Sequence, residues 1–362
     1  MKLYIAGGCG EHGRNCFLLE DNGRYLMVDC GKGDRDTSFP QLTKDEIMKT
    51  EYLFLTHSHK DHSGGIQWMV EQGCRGNIIS TKETRIQCDL NIPNWRSLPV
   101  NEGSQPLVIN QNLRIIWGRS GHCAGSVWYL IEWNGKTILF TGDYKEKSSL
   151  YFCDEIRNTA ADCAVIDCAY GNRDIDRNGL YRELTDSIRY HIRKGNTVLL
   201  PVPKYGRGLE MIQLLHDAGK NIPVYADSSL FKQTKTNSPF WTVQSEAISQ
   251  NMKNWKGDPA VLLVSDPQLR KKENYELAIR ILNTGGTVIL TGYVYPDTGS
   301  EHLLKQKLAG QIAYPVHMNY SEVCGLISKN RFGNIVLNHH AGKIDDEKKI
   351  TSDIKTGDTV LF

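Results

Sequence analysis

The residues best suited to chemistry stand together at the end of an apolar run. Tyr52-Leu53-Phe54-Leu55-Thr56 leads directly into His57-Ser58-His59-Lys60-Asp61-His62-Ser63-Gly64-Gly65, an H-x-H-x-D-H pattern. Alternate residues of an extended segment point the same way, so His57 and His59 can face one cation while a turn redirects Asp61 and His62 towards a second. Ser63-Gly64-Gly65 then allows tight turning into a helix. A pair of zinc ions sharing an oxygen needs roughly six to eight protein ligand atoms, so further ligands must arrive from elsewhere. Gly121-His122-Cys123-Ala124-Gly125-Ser126 offers a histidine in a small-residue turn between strands, and Thr141-Gly142-Asp143-Tyr144 offers a carboxylate at another strand end. Four ligand-type residues within six positions, followed by G-H and T-G-D, form too ordered a set for unrelated surface or core side chains.

The elements that must position these groups are short β-runs cut by Gly and Asp turns. The patterning predicts strands at Lys2–Ala6, Cys16–Glu20, Arg24–Asp29, Tyr52–Thr56, Asn77–Ser80, Leu113–Trp117, Ser126–Trp133 and Thr137–Thr141, with few helices among them. From about Asn178 the rhythm becomes strand and helix in alternation, as in a mostly parallel sheet. Helices are expected at Gly179–Lys194, Gly208–Ala218 and Glu273–Asn283, with strands at Thr197–Val202, Pro223–Ala226, Ala260–Ser265 and Thr287–Thr291. Helices at Glu301–Leu308 and Ser321–Lys329 and a strand at Asn334–Asn338 follow. Phe231–Trp255, polar and dotted with aromatics, reads as either a lid or a helical hairpin.

A chain of 362 residues exceeds the usual reach of one core, which favours two lobes. With 40% hydrophobic and 23% charged residues, neither a disordered nor a membrane protein is indicated. The formal charge of +2 supplies no global field for nucleic acid, which would need a local basic strip. The N-terminus reaches Gly7-Gly8 too early for a signal segment, and the ten cysteines never fall as C-x-x-C, so reduced thiols and a cytoplasmic address are expected.

H-x-H-x-D-H, the later G-H-x-x-G-S and the T-G-D resemble motifs two, three and four of the metallo-β-lactamase fold. Val28-Asp29-Cys30-Gly31 looks like its first motif, whose aspartate supports the metal-binding loop. A second set of likenesses lies downstream. Ala164–Gly171 is similar to motif A of the β-CASP nucleases, with Asp167 in place of Glu; Leu199–Glu210 resembles their P-x-F-A-x-G-R-x-Q-E element; Val288–Tyr293 resembles their T-G-Y strand. The resemblance implies an α/β chain: a metallo-β-lactamase αββα sandwich (1–172 and 311–362) with an inserted α/β β-CASP-like domain (173–310). That branch includes ribonuclease J and the cleavage-and-polyadenylation-type endonucleases.

The strand Ile335–Asn338 resembles the one carrying the motif C histidine, which makes His339 the last metal ligand, or His340 if the register is one residue off. Where the family has F-S-A-H-x-D, motif B, Ser321 falls on the histidine; His317 is the alternative, from a shifted loop. The resemblance implies two zinc ions, with manganese or iron tolerated. His57, His59 and His122 complete one site, Asp61, His62 and His339 the other, and Asp143 bridges. Asp61 orients the metal-bridging hydroxide, and Asp167 steers a ligand histidine. The implied activity is phosphodiester cleavage of RNA or single-stranded DNA by a protein with no membrane part, and a homodimer is allowed. Lys204, Arg207, Arg270, Lys271 and Lys272 are candidate phosphate contacts from the insert, which would have to close over the metal cleft; Tyr205, Tyr293 and Tyr295 are candidate stacking residues. His12, His191, His216 and His302 read as structural or exposed. Two rival functions share the fold: a small-molecule ester or thioester hydrolase, and a homologue that binds nucleic acid or protein without cutting.

Overall fold

The computed structural model describes residues 1–33, 38–99, 106–219, 222–234, 240–242, 249–340 and 354–362. The chain divides into two compact units, Met1–Lys147 with Phe152–Asp174 and His317–Phe362, and Ser148–Tyr151 with Ile175–Val316. The second unit thus ends at Val316 rather than at 310. The reason is local: Ile312 and Tyr314 still donate hydrogen bonds to Leu290 and Thr291, continuing the pairing of the insert's last strand.

The first unit contains two sheets. One holds β1 (Lys2–Gly7), β2 (Cys16–Asp21), β3 (Arg24–Val28), β4 (Thr50–Phe54), β5 (Asn77–Ser80), β6 (Trp95–Ser97) and β19 (Thr359–Leu361), in the order β19-β1-β2-β3-β4-β5-β6. The other holds β7 (Leu107–Asn110), β8 (Leu113–Arg119), β9 (Val127–Trp133), β10 (Lys136–Phe140), β11 (Ala160–Asp167) and β18 (Arg331–Asn338), in the order β18-β11-β10-β9-β8-β7. Turn chemistry sets the hairpins. β2 and β3 are joined through Asn22-Gly23, and β9 and β10 through Asn134-Gly135, all four residues having positive φ, as the tight two-residue turn demands. Beyond the hairpins pairing turns parallel: β3-β4-β5-β6 in the first sheet and β10-β11-β18 in the second.

The sheets pack face to face. The rings of Phe54 and Tyr129 lie 5.7 Å apart, those of Phe17 and Phe140 5.8 Å, and the Tyr129 hydroxyl donates to the Leu55 carbonyl. Helices cover the outer faces: Ile47 of α1 (Lys44–Lys49) and Ile66 and Met69 of α3 (Ile66–Glu71) pack on Leu18, Met27 and Leu53. On the other side Val323 and Leu326 of α10 (Tyr320–Ser328) pack on Leu139, Ala164, Ile166 and Leu337. This is the expected αββα sandwich. It has more helix than the sequence pattern indicates, since α1, α2 (Lys60–Ser63) and α4 (Lys82–Cys88) also form; four to seven residues leave little periodicity to read. Strands β6, β7 and β19 were not expected either, being three or four residues long at sheet edges with no clean alternation.

The second unit is a parallel sheet of β12 (Val198–Pro201), β13 (Val224–Ala226), β14 (Gln250–Asn251), β15 (Val261–Val264), β16 (Thr287–Leu290) and β17 (Ala309–Gln311), in the order β14-β13-β15-β12-β16-β17. Strands β12 and β15 are buried at every position, as parallel strands covered on both faces must be. The helices are α5 (Arg177–Arg193), α6 (Arg207–Asp217), α7 (Ser228–Thr234), α8 (Lys272–Asn283) and α9 (Gly299–Lys305). In the segment Phe231–Trp255, the end of α7, β14 and a short 3-10 turn at Met252–Asn254 are described, and 235–239 and 243–248 lie outside the described residues. Among the described residues no helix is long and apolar enough to cross a membrane.

Candidate metal centre

The site is assembled where strands end. β3 delivers Asp29, β4 runs into Thr56 to His62, β10 delivers Asp143, β11 closes on Asp167 and β18 hands over to His339. The loop between β8 and β9 brings His122. These strands run parallel to their neighbours, so their C-terminal ends share one edge of each sheet.

Asp29 adopts a left-handed conformation (φ 58°) just after β3 and is buried. Its carboxylate accepts from the Thr56 amide (2.7 Å), the Thr56 hydroxyl (2.8 Å) and His62 Nδ1 (2.7 Å). The Nδ1 proton of His62 is thereby committed, and Nε2 is turned towards Asp143 Oδ1 at 3.1 Å. The same logic fixes His57. Thr56 has one proton and gives it to Asp29, so its oxygen, 3.1 Å from His57 Nδ1, accepts from that ring. His57 Nε2 is left as a bare nitrogen, buried, without a hydrogen bond among the described residues and 3.5 Å from Asp143 Oδ2.

The remaining groups close in around Asp143. His122 Nε2 is 3.1 Å from His59 Nδ1 and 3.3 Å from Asp143 Oδ2; the loop holding it is pinned by Ser126 Oγ, which accepts from the Cys123 amide. Gly142 has φ 53° and a Cβ there would meet Thr56 at 2.8 Å, so the T-G-D glycine permits both the turn and the close approach. His339 (φ 68°) donates its amide to Gly8 and sets its ring 3.2 Å from Asp61 Oδ2 and 3.4 Å from Asp143 Oδ1. His340 forms an isolated bridge with Cys9 and belongs to none of the ligand groups, so of the two register alternatives the structure brings His339 to the centre.

Three sets of side chains place one ligand atom each within 4.8 Å of the others: His57, His59, His122 and Asp143; Asp61, His62 and His339; Asp143, Asp167, His317 and His339. The charge balance points the same way. Burial and the neighbouring His62 hold His57 well below the usual histidine range, and burial pushes His122 down to about 3. Burial opposes ionisation of Asp61 and Asp143, yet the surrounding histidines keep both carboxyls below their ordinary values. His62 and His339 are raised against burial by Asp143, Asp61 and their other carboxylate neighbours. The donor set, nitrogen bases and carboxylates around bare His57 Nε2, fits divalent cations.

One expectation needs correction. Ser321, placed on the motif B histidine by the resemblance, is exposed on the first turn of α10, its amide donating to Asp174. His317 is the residue at the centre. Its Nδ1 is 3.0 Å from Asp167 and 3.9 Å from Asp143, and its ring lies 5.1 Å from that of His122. Asn319 starts α10, its amide donating to Glu322, which leaves His317 on the approach to the helix. Asp167 also accepts from the Tyr144 and Ala169 amides. Exposed His12 sits 6.1 Å from the His339 ring, closer to the centre than its turn position suggests. Sequence reasoning missed Thr56, whose position next to His57 was the available signal.

Lys204 and Arg207 belong to the second unit. Lys204 is exposed, its ammonium 4.8 Å over the Tyr205 ring. Arg207 is half-buried against Gly292, where a Cβ would fall 2.3 Å from its guanidinium. The T-G-Y glycine thus vacates the place that the G-R arginine fills. Tyr293 is exposed, with its ring 5.0 Å from that of Tyr295. The Arg270 and Lys271 amides donate to Asp266, which anchors the start of α8.

This sandwich, its strand-end centre and its inserted parallel sheet are the metallo-β-lactamase fold with a β-CASP-like insertion, and residues 9–73 match the model of the metallo-beta-lactamase superfamily. The chain is similar to the endoribonuclease YSH1 of Candida albicans, with 24% identity over 93% of this chain and 48% of that protein. It is also similar to a probable RNase MJ4 of Methanocaldococcus jannaschii, with 22% identity over 84% of this chain and 82% of that one. The chain therefore spans about half the length of the first of these relatives. Among solved structures, a protein of unknown function from Enterococcus faecalis has the same fold, with a TM-score of 0.65 at 11% identity, covering 100% of this chain and 99% of that one.

Proposed function

We propose that the protein is a metal-dependent phosphodiesterase that cleaves RNA, or single-stranded DNA, using two zinc ions. The observation that carries this reading is the convergence of His57, His59, His122, Asp61, His62 and His339 around Asp143. In it, His57, His59 and His122 would hold one ion and Asp61, His62 and His339 the other, with Asp143 available to both. Bound divalent ions supply an acidified water and offset charge on the phosphoryl oxygens.

The chain's own residues do the rest. Asp61 orients the attacking water through its carboxylate. Asp29 keeps His62 in one tautomer, and Thr56 does so for His57. His317, oriented by Asp167, serves as the proton donor to the leaving oxygen that the resemblance assigns to the motif B histidine. Lys204 and exposed Tyr293 are retained as contacts for phosphate and base. The nuclease names of the two relatives support the choice of RNA. A cytoplasmic address belongs to the same reading, supported by ten cysteines that all stand outside disulfides.

The test is metal content by mass spectrometry on wild-type and Asp61→Ala/His62→Ala protein, with cleavage of end-labelled single-stranded RNA on the same samples. About two zinc ions per chain and cutting lost in the variant are expected. Bound metal without cutting of RNA or DNA would favour a small ester as substrate, and a wild type without metal would overturn the reading.

A further inference from the structure

Asn15 lies between β1 and β2, far in sequence from every ligand, yet it is fully buried and reaches two of the segments that carry them. Its amide donates to the Asp61 carbonyl at 2.7 Å. Its side-chain Nδ2 is 3.3 Å from that carbonyl, 3.5 Å from Asp61 Oδ2 and 3.0 Å from His62 Nε2. The other end, Oδ1, accepts from Asn338 Nδ2 at 3.2 Å, and Asn338 immediately precedes His339. The opposite orientation of the Asn15 amide would set its oxygen against two oxygens of Asp61, so the NH2 group must face them.

The neighbouring backbone is shaped to this side chain. A Cβ on Gly8 would lie 2.4 Å from Asn15 Oδ1, and the Gly8 carbonyl accepts the His339 amide at 2.7 Å. Asn15 is thus locked to the turn carrying Asp61 and His62 on one side and to the end of β18 on the other.

We propose that Asn15 is a positioning residue that, through Asp61 and Asn338, sets the affinity of the Asp61–His62–His339 half of the centre for a divalent cation. Once His62 Nε2 gives its lone pair to a cation, the amide keeps Asp61 as its acceptor and holds that carboxylate in place. The link to Asn338 ties His339 to the same frame, although 323 residues separate Asn15 from Asn338. The inference rests on the metal-centre reading above.

The experiment titrates the full-length apo-protein with cobalt(II) alone, following visible absorption and competition with a chelator, in wild type, Asn15→Ala, Asn338→Ala, Asp61→Ala and Asn15→Ala/Asp61→Ala. Circular dichroism of each apo-protein monitors the fold. Asn15→Ala should weaken uptake at one half of the centre about 10- to 100-fold and alter the cobalt spectrum, with the other half unaffected. In the Asp61→Ala background the same change should cost clearly less than in wild type, because only the Asn338 link is then left to lose. If Asn15→Ala does not fold, Asn338→Ala carries the test, since it breaks the same amide link. Wild-type affinity and spectrum in the folded variant, or a full additional loss in the Asp61→Ala background, would overturn the inference alone. A wild type that takes up no cobalt overturns the metal-centre reading and this inference with it.

Discussion

His317 Nδ1 meets the buried carboxylate of Asp167 at 3.0 Å, joining the residue that leads into α10 to the end of β11. Asp167 is itself fixed by two backbone amides, so it acts as a rigid acceptor that sets the orientation of the imidazole. On the function proposed above, His317→Ala should lower RNA cleavage about 10²- to 10⁴-fold, the usual worth of a positioned general acid, while metal content stays near wild type. Ser321→Ala, on an exposed helix start, should leave the rate near wild type and stability within about 0.5 kcal/mol. Single-turnover rates and metal analysis on the same preparations check both; equal losses in the two variants would refute the assignment of His317.

Asp29 is acceptor to three donors, all in the segment that carries His57 and His62. Removing it in Asp29→Ala leaves those donors buried and unpaired, at a cost of about 3 kcal/mol or more. The same change should weaken metal binding about 10- to 100-fold, because His62 loses its orienting partner. Asn tolerates the left-handed backbone at this position, so Asp29→Asn should be the milder variant. Urea melts and metal competition measure the two effects separately.

Two glycines separate steric demand from conformational demand. A Cβ on Gly31 would fall 1.8 Å from the Asp61 carbonyl oxygen, and that atom is backbone. Gly31→Ala must displace the Asp61–His62 turn and should cost at least about 1–3 kcal/mol, with reduced metal uptake on the proposed reading. Gly23 has nothing within 4 Å but has φ 76°, so Gly23→Ala should cost only about 1 kcal/mol and leave metal content intact. Thermal denaturation with and without added zinc distinguishes the cases.

Arg157 makes a two-point ion pair with Glu146, both contacts at 2.7 Å, tying the chain after Asp143 to the segment before β11. The hydrogen bonds from Arg157 lower the Glu146 pKa from 4.5. A carboxyl depressed in the folded state contributes stability above its unfolded value, and that contribution fades as pH falls through the folded one. Because both groups are partly exposed, the contribution should be only about 0.5–1 kcal/mol. Glu146→Gln should lose that amount at pH 7 and converge on wild type as the pH falls through the depressed folded-state pKa, as read from denaturant midpoints across the range.

The ligand types were legible in the sequence because their spacing is local. H-x-H-x-D-H, G-H and T-G-D each sit at the end of an apolar run, and a strand end is a place the chain pattern marks on its own. The alternating strands and helices of the insert were legible for the same reason. What could not be read was any relationship set by packing between distant segments. The sequence around His317 obscures its likeness to F-S-A-H-x-D, because Pro315-Val316 and Asn319 replace the expected neighbours. Only the fold put His317, rather than Ser321, against Asp167. Thr56 offers only its place beside His57 and Asn15 offers no signal; their hydrogen bonds to Asp29 and Asp61 exist because β3, β4 and the β1–β2 loop come together in one sheet. The sequence by itself determined which groups can bind a cation, since that is a property of side-chain chemistry. The tertiary structure decided which nitrogen of each ring faces inward and which histidine joins the centre, because those depend on partners that chain folding alone brings within hydrogen-bonding distance.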